Sequence, residues 1–187
     1  MSGIVGGINL RSSGLVNNSS AADGQLLTGT GAGLPAGFEA AAGGGKVLQC
    51  IMDTEVVILS TTDTSWADLM TVTITPATSS SRFLLMASTI SHSGDSGSRF
   101  GFVRDSTEIF FGTGLEECTY GAWAGGASYD IGIGASHYLD SPATDSEIVY
   151  RFKWRCQSGT IYLNRNSRDT SGDPRCASSF IVMEIGA

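Results

Sequence analysis

Positive charge is scarce in this 187-residue chain: Lys and Arg number 11 against 18 acidic residues, for a formal net charge of -7. No run of them forms a basic stripe, so a polyanionic partner is disfavoured, which argues against nucleic acid and against anionic membrane surfaces. Histidine is limited to His92, in a Gly/Ser loop, and His137, in a strand-like run. With no Ser in a G-x-S-x-G elbow either, a His-based triad has few ways to assemble, and neither catalytic residues nor a cofactor is expected. No apolar run approaches the roughly 20 residues that span a bilayer, and Met1-Ser2-Gly3 opens no basic region followed by an apolar one. The expectation is a soluble protein without a secretory signal. The four cysteines, Cys50, Cys118, Cys156 and Cys176, form none of the close pairs of zinc or redox motifs. Reduced, buried thiols are expected, with a Cys156–Cys176 bridge as the alternative.

What the chain does contain is alternation. From Glu147 to Gln157, Ile148, Tyr150, Phe152, Trp154 and Cys156 interleave with Val149, Arg151, Lys153 and Arg155, the two-residue period of a strand with one buried face. Burial of a large apolar side chain stabilises by roughly 1.5–3 kcal/mol, so Ile148, Tyr150, Phe152 and Trp154 are assigned to the core. Ser158-Gly159 and a second alternating run, Thr160 to Asn164, suggest a β-hairpin. Further strands are expected at Lys46–Asp53, Glu55–Leu59, Met70–Thr75, Arg82–Ser91, Arg99–Arg104, Thr107–Gly112, within Tyr129–Leu139, and at Ser178–Ile185. The Arg99–Gly112 pair reads as a hairpin that gathers Phe100, Phe102, Ile109, Phe110 and Phe111 into a cluster. With eight to ten short strands and no helix, the fold class is all-β, a jelly-roll-like antiparallel β-sandwich spanning residues 46–187. Arg82–Ser91 is apolar on both faces. In a two-layer sandwich only one face meets the core, so Leu84, Met86 and Ile90 need another cover, a second subunit or an overlying arm.

Residues 1–45 differ: they hold 12 of the 25 glycines, and only Arg11, Asp23 and Glu39 are charged. Such a segment cannot bury enough apolar surface to offset its chain entropy alone. Aliphatic residues recur between the glycines, at Ile4, Val5, Ile8, Leu10, Leu15, Val16, Leu26 and Leu27, and then at Leu34 and Phe38. An extended arm docked on another protein uses main-chain hydrogen bonds and spaced side chains in this way; a flexible spacer is the alternative.

Other groups carry weaker signals. Gly31-Ala32-Gly33, ending at Ala36, lacks the strand and helix that frame a dinucleotide loop. Asp95, Asp169 and Asp173 sit in loops where carboxylates can hold calcium, although no EF-hand spacing is present and solvated loops suffice. Asn17 and Asn18 each begin a glycosylation sequon. Trp66, Trp123, Tyr120 and Tyr129 either stack on sugar rings or pack in the core or between subunits.

Three stretches, FVRDSTEIFFG, SHYLDSPATDSEIVYRFKWRCQSGTIYLNR and ASSFIVMEIGA, resemble the C-terminal jelly-roll modules of virion proteins from tailed bacteriophages, particularly phages of aquatic bacteria. The Gly-rich N-terminal segment is similar to the attachment segments that precede those modules. The resemblance implies a tumour-necrosis-factor-like architecture that usually trimerises, a structural protein of the virion assembled in the host cytoplasm, and no catalytic residues. Tail fibres, head fibres and capsid decoration proteins all carry such modules. A receptor-binding fibre needs a long stalk, and these 45 residues contain no coiled coil or β-helix repeat. The expectation is therefore a capsid decoration or cement protein whose partner is the major capsid protein or another virion protein. A tail or head fibre appendage that binds a receptor or surface glycan is the alternative.

Overall fold

The computed structural model describes residues 25–28, 37–40, 45–93, 97–113, 118–122 and 130–186, and every regular element among them is a β-strand. The chain divides into two units, Met1–Gly44 and Gly45–Ala187. In the first, β1 (Gln25–Thr28) pairs antiparallel with β2 (Gly37–Ala40), with Leu26 opposite Glu39 and Leu27 opposite Phe38. Ile4, Val5, Ile8, Leu10, Leu15 and Val16 lie outside the described residues.

The second unit contains β3 (Val47–Glu55), β4 (Leu59–Thr61), β5 (Ala67–Ile74), β6 (Arg82–Ser93), β7 (Ser98–Arg104) and β8 (Thr107–Ile109). These are followed by β9 (Tyr120–Ala122), β10 (Gly132–Asp140), β11 (Ile148–Cys156), β12 (Ile161–Leu163) and β13 (Ser178–Ile185). All pairings are antiparallel and fall into two sheets. One has the main order β3-β13-β6-β10, with β12 and β4 added along the far end of β6; the other runs β5-β11-β7-β8, with β9 on β7. Taken in chain order, these main strands place first, eighth, third and sixth in one sheet and second, seventh, fourth and fifth in the other. That is the order of a jelly roll.

Alternation puts one face of each sheet inward. Phe83, Leu85 and Ala87 of β6 and Phe180 and Val182 of β13 meet Phe100 and Phe102 of β7 and Ile148, Tyr150, Phe152 and Trp154 of β11, all buried. The Phe100 and Phe152 rings stack 5.6 Å apart, and Phe180 packs 5.8 Å from both Phe102 and Phe152. β11 lies inside its sheet, between β5 and β7, as its five consecutive inward side chains require.

Three local expectations are corrected. β11 and β12 do not form a hairpin: β12 pairs with β4 and β6 in the opposite sheet, so residues 157–160 carry the chain across the sandwich, with Gly159 at φ 70°. The Glu55–Leu59 strand does not exist as such. β3 runs unbroken to Glu55, Val56, Val57 and Ile58 are exposed, and the chain is fixed there by Asn164 Nδ2, which donates to the Glu55 and Val57 carbonyls at 2.7 and 3.0 Å. The β7–β8 hairpin forms, but β8 stops at Ile109 because Phe110 turns to φ 57°. Ile109 enters the core; Phe110 instead stacks on Tyr138 at 4.8 Å, and Phe111 lies edge-on to Trp66 at 5.5 Å.

Candidate functional site

The outward side chains of β3, β13, β6 and β10 line up by register into cross-strand rows. Met52, Ile181, Met86 and His137 form one row; Cys50, Met183, Leu84 and Leu139 form the next. Ile90 and Ile133 pair beyond them, and Leu48 and Ile185 lie towards the other end. Leu84, Met86 and Ile90 are half-buried by their neighbours within the sheet, and more apolar surface opens around them. Ile133 is 75% exposed, Met52 58% and Leu139 44%. The expected second apolar face of Arg82–Ser91 is thus one part of a face four strands wide.

The charge pattern of this face is one-sided. None of its outward positions is Asp or Glu, although the chain has 18 such residues. The acidic residues of these strands point the other way. Asp140 pairs with Phe83, Glu184 with Gln49 and Phe83, and Asp53 with Phe180, all on the inner side. Each has a fixed partner there. Asp140 accepts from Arg104 Nη1 at 2.8 Å and from the Tyr150 hydroxyl at 2.7 Å, tying β10 to β7 and β11 across the sandwich. Burial and the Asp140 carboxylate together raise the Tyr150 hydroxyl far above its ordinary range. Buried Glu184 accepts from Gln49 Nε2 and from the Ala77 backbone N–H, both at 2.7 Å.

The outer face of the other sheet has the opposite character. Arg99, Arg151, Lys153 and Arg155 project from β7 and β11, facing Asp68 and Glu108. Lys153 Nζ lies 2.9 Å and Arg151 Nε 3.4 Å from the Asp68 carboxylate, and the Arg155 guanidinium covers the Trp66 ring at 5.0 Å. Of two sheets with similar cores, one presents charge outward and the other hydrocarbon.

The remaining candidates have local partners. His92 is buried, and its Nδ1 donates to the Asp130 carbonyl at 2.6 Å; His137 stands apart on the apolar face. Tyr120 packs on Phe100 at 5.0 Å and shares a 2.7 Å hydrogen bond with Thr89, and burial raises its hydroxyl well above the usual value. It therefore packs in the core and is no sugar platform, whereas Trp66 lies outside; Trp123 and Tyr129 fall outside the described residues. Asp173 is bound by Arg168 and by the Thr170 N–H and hydroxyl, and Asp169 by Arg165 and Arg175. The two aspartates are thus held by arginines, and no metal-binding group of His, Cys, Asp and Glu occurs among the described residues, which exclude Asp95. None of the cysteines forms a disulfide, and only Cys156 is buried; Cys50 is exposed on the apolar face.

The width of this apolar face was missed by sequence reasoning. Its signal was present in β13, where Ile181, Met183 and Ile185 alternate with core residues, and in the carboxylate-free outward positions of β3 and β10. No protein-family model matches the chain, and no curated protein matches it.

Proposed function

We propose that this chain is a non-enzymatic structural protein of a tailed-phage virion, a capsid decoration protein. In this reading the jelly-roll unit is the head of a homotrimer, and the N-terminal segment grips the capsid. The observation that carries it is the carboxylate-free apolar face centred on Leu84, Met86 and Ile90, with Arg82 at its margin. Apolar surface removed from water contributes about 25 cal/mol per Å², and closed symmetry buries a repeated patch without leaving a free copy. A chain of net charge -7 meets its own copies with least repulsion where carboxylates are absent. The Gly-rich segment with its spaced Ile, Val and Leu residues supports attachment, since three arms on one trimer raise the effective concentration of each at its site.

The test is rebinding. Full-length protein added to capsids that lack it should decorate them, and protein without residues 1–45 should not. Single changes such as Ile8→Ser or Leu15→Ser should weaken binding without abolishing it, because each anchor contributes only about 1–3 kcal/mol. Decoration at full occupancy by the truncated protein contradicts the arm's role. Binding to host cells and not to capsids moves the protein to a fibre.

A further inference from the structure

The outer face of the five-stranded sheet contains an open cleft of about 310 Å³ that nothing in the capsid reading uses. Its origin is visible in the rows of that sheet. In the row Arg151–Val103–Glu108 the middle residue is short and buried, so the charged side chains at either side stand as walls above a hydrocarbon floor. In the neighbouring row the middle position is Gly101, and the Phe111 ring lies where a Cβ would project. Phe111 holds the edge of Trp66, which closes that end of the cleft; the Asp105 turn closes the other.

The polar groups are already oriented. Arg151 is held by Asp68 and by the Asp105 carbonyl, and Lys153 by Asp68. Asp105 is fixed in turn: its carboxylate accepts from the Val149 N–H at 2.9 Å, and its own N–H donates to the Val149 carbonyl at 2.8 Å. The Glu108 side chain makes no hydrogen bond or ion pair with any described residue, and Glu108 is exposed on the opposite wall. Donors on one wall, an available carboxylate on the other, an apolar floor and an indole at the end match a pyranose ring. Such a ring presents C–H groups on one face and hydroxyls that both donate and accept around its rim. The charges decide between neutral and anionic ligands. Among the residues that line the cleft, Asp105 and Glu108 offset Arg151 and Lys153, so no net positive charge is left there for a phosphate, sulfate or uronate.

We propose that this cleft, between Trp66, Val103, Glu108, Arg151 and Lys153, is a binding site for a neutral saccharide. It is independent of the oligomer and of the capsid reading, which use the other sheet and the N-terminal segment. The test is a titration of ¹⁵N-labelled full-length protein followed through its tryptophan indole N–H signals, with the Trp66 signal assigned by Trp66→Phe. The neutral probes are the methyl glycosides of glucose, galactose, mannose and N-acetylglucosamine; glucuronate and inorganic phosphate are the anionic ones. At least one neutral glycoside should shift the Trp66 signal saturably, and Glu108→Ala should weaken it about tenfold or more with unchanged thermal unfolding. The assignment is overturned if no neutral glycoside shifts the signal, if glucuronate or phosphate binds more tightly, or if Glu108→Ala binds as the wild type does.

Discussion

At the scale of single residues, buried polar groups in this protein act in joined sets, each with its own energetic signature. Asp140 is the clearest, because one carboxylate serves two strands of the opposite sheet through Arg104 and Tyr150. Asp140→Asn should cost about 1.5–3 kcal/mol in urea unfolding, the range for a hydrogen bond to a charged group. It should fall short of the 3–5 kcal/mol for a fully buried ion pair, since the Arg104 side chain retains 26% exposure. Tyr150→Phe should cost less, as it leaves the ion pair in place. Asp173 supplies a pH signature. The Arg168 guanidinium and the Thr170 N–H hold its carboxyl well below the usual carboxylate range. A carboxyl depressed by folding stabilises the native loop above its unfolded value, about 3.9, and that contribution fades as the pH falls below it. Protection of the Thr170 amide from hydrogen exchange, corrected for intrinsic rate, should therefore be flat down to about pH 4 and decline below it. Asp173→Asn should lower protection at neutral pH and remove the decline.

At the scale of elements, β11 was the most legible part of the sequence and β12 the least, for related reasons. Five inward residues in strict alternation, four of them large, specify a face, and a slip of one residue would turn all five into water. Trp154→Asp should therefore abolish cooperative unfolding, because it places an unpaired charge among Phe100, Phe152 and their neighbours. Native-like thermal unfolding of that variant would contradict the assignment. Alternation identifies a face and carries no information about a partner. Ser158-Gly159 is short enough for a hairpin, but Gly159 at positive φ serves a crossing between sheets equally well. The same limit explains β8. Thr107 to Phe111 has the composition of a strand, and the left-handed turn at Phe110 that sends Phe111 to the outer face leaves no mark in hydropathy. The candidate site was legible one strand at a time. Leu84, Met86 and Ile90 stood out because β6 is apolar on both sides, while the contributions of β3, β10 and β13 became a single face only once register placed them side by side.

At the scale of the whole molecule, the proposal assigns different surfaces to different tasks. One sheet offers hydrocarbon for self-association, the other a charge-balanced cleft, and the N-terminal segment supplies attachment. The claim on which the virion reading depends most is the first. Ile133 is the most exposed large apolar side chain of the described residues, at 75%, and its replacement by Asp touches no core contact. Ile133→Asp would place a carboxylate in each copy of the proposed interface, whose outward strand positions have none. Light scattering on the full-length protein at micromolar concentration is the direct measurement. The account predicts three chain masses for the wild type and one for Ile133→Asp, with the variant still unfolding cooperatively. A wild type at one chain mass, or a variant that remains a trimer, would contradict it.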